Sequence, residues 1–127
     1  MSMVFVFGSN LAGVHGAGAA RVARFEHGAE IGVGNGPTGN SYALPTKDRN
    51  IRTMSKDAIR QFVKQFLEYA AAHPEQEFQV TRIGCGLAGY RDLDIAPMFK
   101  GASKNCLFDE AWKPWFGDDY CYWGHVA

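Results

Sequence analysis

The segment "VFVFGSNLAGVHGAGAARVARF", Val4 to Phe25, constrains the fold more than any other part of the chain. Met3 to Phe7 is a short continuous apolar run that ends at Gly8, as expected of a strand covered on both faces of a sheet. A glycine-rich loop follows. Ala17 to His27 then has the composition of a helix that stops at Gly28, with Val22, Ala23 and Phe25 towards one side and Arg21 and Arg24 opposite. A doubly covered strand leading into a helix calls for helical layers on both sides of a sheet.

The rest of the chain repeats this order without internal repeats or low-complexity linkers. Ile31 to Val33 reads as a brief strand, "GNGPTGN" as a break, and "SYALP" as another strand before Thr46, Lys47 and Asp48. Ser55 is placed to cap a helix in which Ile59, Phe62, Val63, Phe66, Leu67 and Ala70 keep helical spacing until His73-Pro74. Phe78 to Ile83 forms the next strand. It runs into "GCGLAGY", after which Asp92 can cap a helix carrying Ile95, Met98 and Phe99. Asn105 to Phe108 reads as a last strand. Residues 109–127 hold three tryptophans and are too aromatic for a free tail, so they pack on the body. The expectation is one α/β domain spanning residues 1–127.

Net charge narrows the partners. Thirteen basic residues balance thirteen acidic ones, which disfavours nucleic acid as a partner. The run "MVFVF" is far shorter than the roughly 20 residues that span a bilayer, so a soluble cytoplasmic protein with no membrane partner is expected. Cys85, Cys106 and Cys121 are odd in number and lack C-x-x-C spacing, which supports neither a disulfide framework nor a zinc knuckle. His27, His73 and His125 are scattered singly. No catalytic metal and no cofactor are expected.

Fifteen glycines cluster mainly at residues 8–18, 28–39 and 84–89. Two of these clusters leave a strand and enter a helix, where free backbone N–H groups and a helix dipole suit a phosphate. The first loop lacks the Lys-Ser/Thr of a P-loop, and its "GAGAA" matches a dinucleotide fingerprint only in part, with Arg21 in place of the final glycine. Kinase, ATPase and dehydrogenase readings rank low. Two such loops at one sheet edge can hold a diphosphate between them, with Asn10 positioned for ribose hydroxyls.

The stretches "VFGSNLAGVHGAGAA", "SYALPTKD" and "TRIGCGLAGY" together resemble the macro domain. The resemblance runs through most of the chain. It is closest to the branch containing the terminal ADP-ribose protein glycohydrolase, and the chain is also similar to short macro-like proteins of bacteria and phages. It implies a three-layer α/β/α fold with a central mixed sheet, and a cleft for ADP-ribose. Gly16, Ala17 and Gly18 match the first ligand loop and "RIGCGL", Arg82 to Leu87, the phosphate loop, so that Gly84, Cys85, Gly86, Leu87, Ala88 and Gly89 lie around the diphosphate. In that branch a lysine after a strand attacks the distal ribose, and Lys47 in "YALPTK" falls on its position; a neutral amine is required for that role. Ala88 stands where the branch has an aspartate. The resemblance therefore leaves two functions open: hydrolysis of ester-linked ADP-ribose through Lys47, or a non-catalytic module that reads or sequesters ADP-ribosylated protein or nucleotide.

Further residues border these loops. His15 lies inside the first loop, where contact with a phosphate or a role as an acid competes with a water-facing role. Asp48 is an acid or base beside Lys47, or a turn residue. Cys85 reads as a small buried residue, and Asp92 and Asp94 as helix-cap residues. Tyr90 is placed to border the distal ribose. Tyr42, Phe116, Tyr120, Tyr122 and Trp123 are candidates for an adenine platform or for core. Arg49, Arg52 and Lys56 form a small basic group after Lys47.

Overall fold

The computed structural model describes residues 2–125. Its centre is one mixed sheet of six strands: β1 (Ser2–Asn10), β2 (Gly36–Thr38), β3 (Ser41–Lys47), β4 (Gln76–Val80), β5 (Cys106–Asp109) and β6 (Tyr122–Gly124). The strands lie in the order β2-β3-β1-β4-β5-β6. All neighbours are parallel except the edge hairpin of β2 and β3.

Alternation along β1 divides the sheet into two faces. Val4 and Val6 join Tyr42, Leu44, Phe78, Val80, Cys106 and Phe108 on the face covered by α2 (Lys56–Ala72). Ile59, Val63, Phe66 and Ala70 of that helix are buried there. Ser55 starts α2 by accepting the Ala58 N–H, and the helix ends at His73, before Pro74. The single helical turn α3 (Asp92–Ile95) and the 3-10 turn Ala96–Phe99 cover the same face, bringing in Ile95 and Phe99.

Phe5, Phe7 and Ala43 point the other way, against Ala20 and Ala23 of α1 (Gly18–Glu26). Helices on both faces make the three-layer α/β sandwich expected from the sequence. The aromatic segment also packs on the body. Trp112 is fully buried, α4 (Lys113–Phe116) stacks Phe116 on Phe108 at 4.0 Å between ring centres, and Trp123 donates its indole N–H to the Val80 carbonyl. Residues 126 and 127 lie outside the described part.

The strand read as the last, β5, is followed by β6, which pairs with it in parallel, and three further local elements differ from the sequence expectation. The strand expected from Ile31 to Val33 is instead a turn at Ile31 and Gly32, with Ile31 60% exposed, whereas the glycine-rich break contains β2. The reason is the hairpin: Gly39 adopts a φ of +58° and Thr38 pairs with Ser41. Phe25 is exposed rather than buried with Ala23, its ring centre 5.6 and 4.9 Å from the guanidinium carbons of Arg21 and Arg24. Asp92 is the first residue of α3, not its cap; Arg91 precedes the turn, and Asp94 accepts the Arg91 N–H.

Candidate functional site

β1, β3 and β4 end at the same edge of the sheet, and the loops that leave them enclose a cleft of about 480 Å³. That volume lies within the usual range for small-ligand sites. Among the sequence candidates, Asn10, Gly16, Ala17, Gly18, Lys47, Gly84, Cys85, Gly86, Leu87 and Ala88 line it. His15, Asp48, Gly89 and Tyr90 are not on its wall.

The first wall is the start of α1. Ala17 precedes the helix without a side-chain cap, and no acidic residue occupies the first turn. Among the described residues, the N–H groups of Gly18, Ala19 and Ala20 have no acceptor, and all three residues border the cleft. The second wall is the segment after β4. There Cys85, Gly89 and Tyr90 spend their N–H groups on Arg82, Gly86 and Gly84 carbonyls, which folds the loop back on itself. The N–H groups of Gly84, Gly86, Leu87 and Ala88 have no acceptor among the described residues. Unpartnered amides and an uncapped helix start give the cleft a positive backbone field.

The third wall comes from β3. The β1–β3 ladder shifts register between Ser9 and Asn10, so Asn10 pairs with Lys47 at the mouth of the cleft. Leu11 donates its N–H to the Lys47 carbonyl. The Lys47 ammonium has no ion-pair partner among the described residues. No Asp, Glu or His is among the described residues lining the cleft.

The other polar side chains on the wall are engaged within the protein. Ser9 donates to the Gly34 carbonyl, Thr46 to Ser9 at 3.3 Å, and Thr81 to Val6 at 2.7 Å. Asn10 is the latch of the first loop, donating to the Val14 carbonyl and accepting the Val14 N–H, so its side chain is committed there rather than to a ribose. Arg82 forms a two-pronged pair with Asp92, at 2.8 and 2.7 Å, and Trp112 donates to the same carboxylate at 2.8 Å. The Arg82 hydrogen bonds hold the Asp92 carboxyl below its usual range. Cys85 contacts the Ile83 carbonyl, and burial followed by the Asp92 charge pushes its thiol up to about 12, so it stays protonated at neutral pH.

His15 is 1% exposed, which replaces both the phosphate-contacting and the water-facing expectations. Its Nε2–H points at the Glu30 and Val33 carbonyls at 3.0 and 3.1 Å, tying the first loop to the 30–33 segment, and its ring meets Phe7 edge-on. Asp48 accepts the N–H groups of Asn50 and Arg52, so its carboxylate organises a turn rather than serving as an acid or base beside Lys47. Tyr90 turns its hydroxyl to the Met54 carbonyl and packs on the core. None of Tyr42, Phe116, Tyr120, Tyr122 and Trp123 is on the cleft wall, and Tyr42 and Phe116 are core. Lys56 pairs with Asp94 at 3.6 Å. The single turn α3 does not supply the helix end expected beside the second loop; α1 does.

Sequence reading misses Val14 and Ile51, which also border the cleft. Ile51 has a φ of +61°, unusual for a β-branched residue, and nothing in the sequence announces it. Among the described residues, no group of three or more His, Cys, Asp or Glu is arranged to hold a metal ion, and no helix is long and apolar enough to cross a membrane.

No protein-family model and no curated protein matches this chain. A solved structure described as a protein of unknown function from Bacteroides thetaiotaomicron is similar, with a TM-score of 0.60 at 17% identity over 98% of this chain and 87% of that one. At that identity the likeness carries the architecture alone.

Proposed function

We propose that the cleft binds the diphosphate of ADP-ribose or a related NAD-derived nucleotide. The observation that carries this reading is the pair Gly16 and Gly86. Neither has a backbone conformation that requires glycine, and a Cβ on either would meet nothing within 4 Å. The fold does not require these positions to lack a side chain, whereas a phosphate lying against the backbone does. Around them stand the unpartnered amides of both loops and the Lys47 ammonium, with no carboxylate on the wall to repel an anion. The macro-domain resemblance selects ADP-ribose among the possible anions, and the three free cysteines fit a cytoplasmic setting.

A thermal-shift titration tests this reading. Ligand at about 100 times its Kd stabilises the folded state by about 2.7 kcal/mol, a rise of several degrees in Tm. An unchanged Tm up to millimolar ADP-ribose removes the reading.

Hydrolysis of ADP-ribosyl esters is the second reading, favoured by Lys47 standing on the cleft wall without an ion-pair partner among the described residues. Among the described residues the same wall holds no Asp, Glu or His to complete turnover, which favours a reader over a hydrolase. Incubation with a protein ADP-ribosylated on glutamate separates the two. Release of ADP-ribose that disappears in Lys47→Ala supports hydrolysis; background release with binding retained supports the reader.

A further inference from the structure

We infer that the cleft is a diphosphate receptor that does not read the base, taking nucleoside diphosphates and their sugar conjugates whichever base they carry. This rests on the anion-binding reading above and adds its selectivity. Apart from Lys47, every polar side chain on the cleft wall already has a partner inside the protein. Strong discrimination by hydrogen bonding needs site groups that are left unpaired when the wrong base enters. Among the described residues such groups on this wall are limited to Lys47 and the backbone, and on the diphosphate reading the free amides serve the phosphates.

Beyond the amides the wall offers aliphatic surface. Val14, Ile51 and Leu87 are 53%, 44% and 69% exposed, and all three border the cleft. They come from three different loops. Ile51 owes its position to Asp48, whose carboxylate holds the Asn50 and Arg52 N–H groups while its carbonyl accepts the Ile51 N–H. Contact with such side chains scales with the apolar area covered, and every base presents a flat face. The occupant of the rim is therefore the base of the bound nucleotide, held by its flat face whichever base it is, and continuous with the diphosphate site.

Calorimetry on the intact chain at one ionic strength, with ADP, GDP, UDP and inorganic pyrophosphate, tests the inference. The three nucleotides are expected to bind within about fivefold of one another, and each at least about tenfold tighter than pyrophosphate. Ile51→Ser and, independently, Val14→Ser are expected to reduce the nucleotide advantage while leaving pyrophosphate affinity within about twofold. A preference for ADP over GDP or UDP greater than about fivefold overturns the inference, as does nucleotide binding no tighter than pyrophosphate. Those results leave the anion site standing. Failure of all four probes and of ADP-ribose removes the anion site and the inference together.

Discussion

Gly18 and Leu87 face each other across the cleft: a Cβ on Gly18 would lie 3.6 Å from Cδ1 of Leu87. The two residues belong to opposite loops, so Leu87 spans the gap between the start of α1 and the unpartnered amides that follow β4. A nucleotide bound along those amides would meet the exposed Leu87 side chain. Leu87→Ala removes mostly exposed surface, so the unfolding free energy should change by less than about 0.5 kcal/mol. The dissociation rate of ADP-ribose should rise about tenfold with little change in association rate, as read by stopped-flow fluorescence.

The glycines divide into two classes that substitution distinguishes. Gly16→Ala and Gly86→Ala meet no atom of the protein and need no unusual φ, so each should leave stability unchanged or raise it by up to about 1 kcal/mol. Each should weaken ADP-ribose binding about tenfold or more, because the new methyl enters the cleft. Gly39→Ala should do the opposite. Its Cβ would stand 2.2 Å from the Gly28 carbonyl oxygen at a φ of +58°, so urea unfolding should show a loss of about 2 kcal/mol or more.

Asp92 predicts an acid limb in the stability curve. Its carboxyl lies below the usual range chiefly through the Arg82 hydrogen bonds, so the folded state binds the proton less readily than the unfolded chain. The contribution is present above the ordinary carboxylate pKa of about 4 and is lost as pH falls through the lower folded value. Asp92→Asn should be less stable than wild type at pH 7, and the difference should shrink as pH is lowered below about 4, measured by urea unfolding at each pH.

The cysteines should react in a fixed order. Burial pushes the thiols of Cys85 and Cys106 up to about 12, while Cys121 is exposed. Iodoacetamide at a pH of about 8 should alkylate Cys121 first, with Cys85 and Cys106 modified only on unfolding. Peptide mass spectrometry that finds Cys85 labelled as fast as Cys121 would count against a protonated, half-buried Cys85.

Much of the architecture is legible in the sequence because single segments carry it. β1 and α2 follow from an apolar run and from a capped helical pattern, and those signals are local. β2 is not legible, since Gly36, Pro37 and Thr38 acquire strand geometry only by pairing with Ser41, Tyr42 and Ala43. The glycine walls of the cleft can be read for the same reason as the strands, from their position between a strand and a helix. The burial of His15 escapes sequence reading because its partners, the Glu30 and Val33 carbonyls, are fifteen and eighteen residues away. The committed side chain of Asn10 and the outward Ile51 depend on loop backbone geometry, which composition does not encode.

The central claim is that the backbone around Gly16 and Gly86 is shaped by a ligand's diphosphate. Isothermal titration calorimetry of the intact chain with ADP-ribose, alongside Gly86→Val, tests it most directly. The account predicts saturable binding of one ligand per chain by the wild type, and affinity reduced about a hundredfold in a variant whose circular dichroism is unchanged. No binding at millimolar ADP-ribose, or equal affinity in the folded Gly86→Val variant, would contradict it.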